Sequence, residues 1–301
     1  MNKNEILVIG SSNTDMVIKT SVLPAPGETI LGGNFFMNAG GKGANQAVAA
    51  ARLGGNVTFI AKTGSDVFGK QAIGSFNNEG INTSHIITDS VYPSGVALIT
   101  VNEKGENCIV VASGANGFLS PLDIHDSMQA VEKASVILMQ LEIPVETVQY
   151  VVNLAAKENK IIILNPAPAI SLPDELLKKI SIITPNQKEA EVLTDIKVAD
   201  GITAEQAALV LHRKGVETVV ITMGARGAYF SHNQKGGLIN APEVQAVDTT
   251  AAGDVFNGAL AVALTEEMII QEAIAFACKA AAVSVTRMGA QSSAPYRNEI
   301  I

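Results

Sequence analysis

"SVILMQLEIPVETVQYVVNLAAKENKIIILNP", residues 135–166, decides the fold. It opens on an unbroken apolar run and turns polar at Glu142. A helical pattern follows over 144–159, and a second apolar run, "KIIIL", ends in Asn165. A short strand without polar alternation is buried on both faces. Strand, polar loop, helix and strand in that order make a parallel crossover unit.

The same rhythm extends outward. "ILVIG" at 6–10, "VTFIAKTG" at 57–64, "KISIITPN" at 179–186 and "ETVVITMG" at 217–224 are further apolar runs that end in polar loops. Helical patterns lie at 186–194 and 203–215. In "GANQAVAAARLGG", 43–55, Ala44, Ala47, Val48 and Ala51 share one helical face and Gly54–Gly55 stops the helix. The expectation is an α/β fold, a mostly parallel central sheet with helices on both faces. Segments 14–38 and 91–112 break the rhythm and read as β-hairpins, with Lys104–Gly105 as the turn of the second. Together they form a small projecting sheet, a lid. No linker, low-complexity tract or repeat divides 1–301, which reads as one domain with the lid built from those two insertions.

Bulk properties remove several classes of function. With 301 residues, 47% hydrophobic and 17% charged, the chain can bury a large core. Aromatics at 4% and no Trp suit close helix-on-sheet packing. A net charge of −8 without a basic run argues against nucleic acid or an anionic membrane as partner. An anionic ligand must then be held by backbone N–H groups, a few placed cations or a metal. Cys108 and Cys278 are too few and too far apart for a disulfide framework. The first apolar run is too short for a signal-peptide core, and "AIAFACKAAAVSV" is too short to span a bilayer, so a cytoplasmic protein is expected. His85, His125, His212 and His232 lack metal-ligand spacing and read as surface or loop residues.

Open parallel sheets bind ligands at the carboxyl ends of their strands. Asn13 and Asp15, Glu142, Asn165, Asn186 and "MGARG" all fall at such ends, although Asn and Asp also cap ordinary helices. "NAGGKGANQA" at 38–47 lacks the Ser or Thr of a Walker A loop, and no G-x-G-x-x-G follows the first strand. It reads as a glycine turn that lets a ligand approach the backbone, with Lys42 and Asn45 as hydrogen-bond donors to hydroxyls. "DTTAAGDVFNGAL" at 248–260 opens an apolar helix, about 253–264, on Ala251, Ala252 and Gly253. Their N–H groups are open to an anion. Asp254 stands beside them, placed to accept a proton from an attacking hydroxyl. The helix dipole is expected to keep Asp254 ionised, a weak base by pKa and an effective one by position. The plain alternative is an Asp stabilising the first helical turn.

"GGKGANQAVAAARLGG" with "DTTAAGDVFNGAL" resembles the two signature regions of the ribokinase-like carbohydrate kinases, the PfkB family. The resemblance runs nearly the full chain, through "VIGSSNTD", "MQLEIP", "TPNQKEAE", "TMGARG" and "VTRMGAQSSAP". Thr-Thr-Ala-Ala-Gly-Asp together with Glu142 resembles the ribokinase branch. It implies ATP-dependent phosphorylation of the terminal hydroxyl of a pentose, D-ribose first. Deoxyribose, a keto-sugar acid, fructose, a nucleoside or a non-catalytic sensor remain as alternatives. By that resemblance Asn13, Thr14, Asp15 and Glu142 hold sugar hydroxyls, and Gly41, Lys42, Gly43, Ala44 and Asn45 close around the sugar. Asp254 is the base, and Ala251, Ala252 and Gly253 form the anion hole. Thr222, Met223, Gly224, Ala225, Arg226 and Gly227 line the nucleotide, with Asn186, Gly253, Asp254 and Cys278. Asn186 and Glu189 place Mg²⁺ through water. Asp248, Thr250, Ser284, Arg287, Gly289 and Ser293 match positions that hold an activating K⁺. Cys278 stands where relatives often carry Asn or His beside the adenine, and Ser292 where a proline is common. Met16, Val17, Ile18, Phe35 and Phe36 are candidates for a homodimer contact through the lid.

Overall fold

The computed structural model describes residues 4–233 and 235–300; the two ends of the expected 1–301 unit, and residue 234, lie outside the described residues. Strand β1 (Glu5–Ile9) is followed by the hairpin β2 (Asn13–Lys19) and β3 (Asn34–Gly40), then helix α1 (Lys42–Arg52). Next come β4 (Asn56–Gly64), α2 (Val67–Asn78), β5 (Ile86–Asp89) and the hairpin β6 (Gly95–Val101) and β7 (Asn107–Ala112). The short helices α3 (Pro121–Asp126) and α4 (Met128–Lys133) lead to β8 (Ala134–Met139), α5 (Val145–Ala155), β9 (Ile161–Leu164), α6 (Asp174–Leu177) and β10 (Ile182–Ile183). The chain closes with α7 (Gln187–Thr194), α8 (Gly201–Arg213), β11 (Thr218–Thr222), β12 (Ala228–His232), β13 (Lys235–Ile239), α9 (Ala252–Thr265) and α10 (Ile270–Ser284).

The main sheet has the order β13-β12-β11-β10-β9-β8-β1-β4-β5. It is parallel from β5 to β11, and β12 and β13 add an antiparallel edge. Alternate residues of β1 point to opposite cores, as a strand's twofold period requires. Leu7 and Ile9 join Val148, Val152, Leu177 and Leu211 under α5, α6 and α8. Ile6 and Val8 join Ala47, Val48, Leu260 and Ile274 under α1, α9 and α10. The small residues of α1 allow a close approach: a Cβ at Gly258 of α9 would lie 2.7 Å from the Gln46 carbonyl oxygen.

The second sheet has the order β3-β2-β6-β7. Its two hairpins are the two expected insertions, joined by parallel pairing of β2 with β6. The second turn has Gly105 at φ +80°, a left-handed position natural to glycine. Register divides the apolar residues between faces: Val17 pairs with Phe36 and shares the face of Asp15, whereas Met16, Ile18, Phe35 and Leu98 lie on the other. The five residues expected to make one dimer contact therefore do not share one face.

Two further expectations change. The run at 179–186 contributes only the two-residue strand β10, since Pro185 close behind it has no N–H for a ladder. His212 is neither loop nor free surface. It sits in the last turn of α8, with Nδ1 against the Val216 carbonyl at 2.8 Å and Nε2 against Ser231 Oγ at 2.8 Å, tying the helix to β12.

Candidate active site

Strand order reverses at β1, which lies between β4 and β8. A crevice forms at such a switch point, outside the carboxyl ends of the strands. Here it gathers residues 11–15 after β1 and 140–142 after β8. Glu142 Oε2 accepts from Ser11 Oγ at 2.5 Å and from the Lys42 N–H at 3.0 Å. That contact needs the start of α1 pressed onto the loop after β1. Gly43 permits it, because a Cβ there would lie 2.6 Å from the Ser11 nitrogen. Gly41, the residue before the helix, adopts φ +89°. Asn13 is buried and its Oδ1 accepts from Asn116 Nδ2 at 2.8 Å, while Asn116 also holds both backbone groups of Ser12. Thr14 is half-buried on β2, and Ala44 is fully buried in α1.

Helix α9 opens in an unusual way. Side chains cap α2, α3, α7 and α8 at Asp66, Ser120, Asn186 and Asp200, whereas α1, α4, α5, α6 and α10 start without a side-chain cap, none of them on a left-handed alanine. The cap residue of α9 is Ala251, at φ +59°, with no side-chain cap. Left-handed backbone is costly for alanine. The Ala252 N–H reaches the Thr249 carbonyl at 3.3 Å and the Val255 N–H reaches Ala251 at 2.9 Å. Among the described residues the N–H groups of Ala251, Gly253 and Asp254 have no protein acceptor. Of the three expected anion-hole donors, Ala252 is thus already engaged, through a long hydrogen bond.

Asp254 is buried, and its carboxylate accepts from Asn45 Nδ2 at 2.9 Å and Gln46 Nε2 at 3.0 Å. Burial pushes its pKa above the ordinary carboxylate range, against the pull of Lys42 and the two amide donors. The expected weakly basic Asp254 is corrected here: desolvation outweighs the stabilisation from its neighbours, so it is the stronger base. Asp15 is raised to about 6 by burial, then by Glu142 and Asp254. Lys42 is held above its usual range: burial pulls it down, but Asp254, Glu142, Glu189 and Asp15 together outweigh that. One lysine thus serves four carboxylates. An open cleft joins Lys42, Asn186, Glu189, Thr222, Gly253 and Asp254.

Asn186 and Glu189 form a reciprocal cap at the start of α7. Asn186 Oδ1 accepts from the Glu189 N–H at 2.9 Å, and Glu189 Oε2 accepts from the Asn186 N–H at 2.8 Å. Burial raises the Glu189 pKa. Thr222 ends β11, and residues 223–227 form a tight turn closed by the Met223 N–H to the Gly227 carbonyl at 2.7 Å. Arg226 is turned toward the Ala199 carbonyl. Met223 is buried, and Cys278, on α10 itself, is buried in the core, its thiol pushed up to about 11 by burial; neither lines the cleft.

Asp248 sits behind the anion turn, with Oδ1 accepting from the Thr250 N–H at 2.9 Å and Oδ2 from the Gly289 N–H at 2.8 Å. Burial would raise its pKa, but these donors hold it below the usual value. Ser284 and Ser293 are buried with their hydroxyls turned to local carbonyls. The Arg287 guanidinium pairs with Glu299, so only its backbone is free for a cation. Ser11, Gln46, Asn116, Gln140, Thr184 and Asn257 escaped the sequence reading. Their one signal is a polar side chain inside a run of apolar or small residues, such as Asn257 in "VFNGALAV".

A buried carboxylate beside bare N–H groups, at the switch point of a parallel sheet, defines a phosphotransferase acting on an alcohol. The chain belongs to the pfkB family of carbohydrate kinases, whose family model matches residues 3–297. It is 50% identical to the ribokinase of Haemophilus influenzae over 99% of this chain and 98% of the relative. It is 38% identical to a deoxyribokinase of Salmonella typhi over 97% and 95% of the two chains. Among solved structures, the ribokinase of Arabidopsis thaliana complexed with ribose and ATP superposes with a TM-score of 0.92 at 31% identity, over 100% of this chain and 98% of that one.

Proposed function

We propose that this enzyme transfers the γ-phosphoryl group of ATP to the 5-hydroxyl of D-ribose, giving ribose 5-phosphate and ADP. The observation that carries the reading is Asp254, buried and held by Asn45 and Gln46 beside the free N–H groups of Gly253 and Ala251. Asp254 takes the proton as the hydroxyl oxygen attacks phosphorus, and the α9 terminus meets the charge that builds on the phosphoryl oxygens. Asn13, Asp15 and Glu142 hold ribose hydroxyls, with the 41–45 turn closing over them. Lys42, whose charge is favoured by Asp254, Glu142, Glu189 and Asp15 around it, brings a positive side chain to the phosphate. Thr222, residues 224–227 and Asn186 line the nucleotide, and the β3-β2-β6-β7 sheet serves as a lid that excludes water.

Two ions fit the residues present. The buried carboxylate of Glu189 beside Asn186 suits water-mediated Mg²⁺, which neutralises phosphate charge when bound. Asp248 with the carbonyls around Thr250, Ser284, Arg287, Gly289 and Ser293 suits K⁺, which would order the loop behind the anion turn. The outer face of the lid supports a homodimer: Phe35, Met37, Leu98 and Val110 are each at least half exposed there. No helix among the described residues is long and apolar enough to cross a membrane; we place the enzyme in the cytoplasm with its ATP supply.

The deoxyribokinase relative keeps 2-deoxyribose as a second reading. ADP release from Mg-ATP with K⁺ across D-ribose, 2-deoxyribose, fructose, a 2-keto-3-deoxy sugar acid and adenosine tests both. Preferential turnover of ribose is expected; preference for another acceptor moves the substrate and keeps the chemistry.

A further inference from the structure

Behind the base lies a chain of buried amides. Gln46 follows Asn45 on α1 and is fully buried. Its Nε2 donates to Asp254 Oδ1 at 3.0 Å and to Asn165 Oδ1 at 3.1 Å, and its Oε1 accepts from Gln140 Nε2 at 2.6 Å. Asn165 Nδ2 donates onward to the Thr184 carbonyl at 3.2 Å. Thr184 Oγ1 donates to Asn257 Oδ1 at 2.7 Å, and Asn257 Nδ2 donates to the Gly253 carbonyl at 2.8 Å. The chain therefore joins the ends of β8, β9 and β10 to α1 and to the first turn of α9.

Its polarity is fixed by its ends. An ionised carboxylate and a backbone carbonyl can only accept. Asp254 thus requires the NH₂ group of Gln46, which leaves the Gln46 oxygen facing Gln140. On the other branch the Thr184 and Gly253 carbonyls require the NH₂ groups of Asn165 and Asn257. Their oxygens are then free to accept from Gln46 and Thr184. One orientation of every amide makes all these hydrogen bonds, leaving the Gln140 Oε1 at the end of the chain without a protein partner, and reversing Gln46 would set its oxygen against a carboxylate oxygen in a buried site.

We propose that Gln46, backed by Gln140, is a positioning residue for phosphoryl transfer. It fixes the rotation of the Asp254 carboxylate and, through Asn165, Thr184 and Asn257, couples it to the Gly253 turn. The proposal rests on Asp254 being the base. A carboxylate free to rotate still binds and still has a lone pair, but spends less time in the attack geometry, so the effect falls on kcat and spares KM.

The test compares Gln46→Met, Gln140→Met and Asp254→Asn in the full-length enzyme with Mg-ATP, K⁺ and the best acceptor of the panel. Gln46→Met should lower kcat by about 10- to 100-fold, with both KM values within about threefold of the parent. Gln140→Met, one step removed, should lower kcat less, in the same direction and again without a KM change. A folded Gln46→Met enzyme with parental kcat, or one losing kcat only in proportion to a rise in KM, overturns the proposal. If Gln46→Met does not fold, Gln140→Met decides: parental kcat there overturns it. Near-normal turnover by Asp254→Asn removes the base reading itself. Loss of turnover in Asp254→Asn beside a parental Gln46→Met removes only the positioning role.

Discussion

Asp15 and Asp254 are both carboxylates raised by burial, yet they govern different quantities. Asp15 titrates near 6 and receives its charge cost from burial, Glu142 and Asp254. Ionised, it accepts sugar hydroxyl hydrogens; protonated, it loses that capacity. The KM for sugar is therefore expected to rise as pH falls through about 6, by up to about tenfold per unit where only the ionised form binds. A pH series of KM checks this, and Asp15→Asn should give a high, flat profile. Stability moves the other way. The folded state binds this proton more tightly than the unfolded chain, so between the ordinary carboxylate value of 3.8 and about 6 the Asp15 contribution to stability falls as pH rises. Melting of the sugar-free enzyme across that window, compared with Asp15→Asn, isolates the contribution. For Asp254, replacement by Asn keeps the shape and removes the base. Turnover should drop by roughly 10²- to 10⁴-fold with sugar and ATP binding retained, as read by steady-state kinetics and equilibrium binding.

At the scale of the element, α9 shows strain and function in one place. Ala251 holds a left-handed backbone that glycine adopts freely. Ala251→Gly should stabilise the protein by about 1 kcal/mol, a rise in melting temperature of roughly 2 °C for a chain of this size, readable by calorimetry. The regular elements were legible because apolar spacing records them: β9 and β11 fall within the quoted runs, β1, β4 and β8 begin one residue ahead of theirs, and α1, α5 and α7 lie close to their expected bounds. The edge hairpin β12–β13 was not, because Gly236 and Gly237 interrupt its apolar pattern. In the site, the convergence of Asn13, Asp15, Glu142 and Asn186 at strand ends was readable from order alone. The amides behind them were not. Gln46 and Gln140 look like surface residues in sequence, and only the fold shows that both are enclosed and that Gln140 donates to Gln46. The sign of the Asp254 shift was misread for a related reason: a helix terminus is visible in sequence, whereas depth of burial is not.

At the scale of the whole molecule, the four-stranded sheet proposed as the lid also carries an apolar surface. Leu98 is half exposed on the face away from Asp15, beside Met16 and Val110 in register. A charge there cannot be buried against a second copy without a partner. Leu98→Lys should convert a dimer to a monomer at micromolar concentration, as measured by light scattering, while the Asp254 site of each copy stays intact. A parental enzyme already monomeric at that concentration would remove the dimer reading. The order of the main sheet carries a consequence for synthesis. Strand β1 lies inside the sheet, third from its β5 edge, paired on one side with β4 and on the other with β8, which ends at Met139. A polypeptide emerging from the ribosome must carry Ile6–Ile9 with one bonding edge open until that distant strand arrives. A nascent or truncated chain ending before Ala134 therefore presents an apolar strand edge to any neighbour.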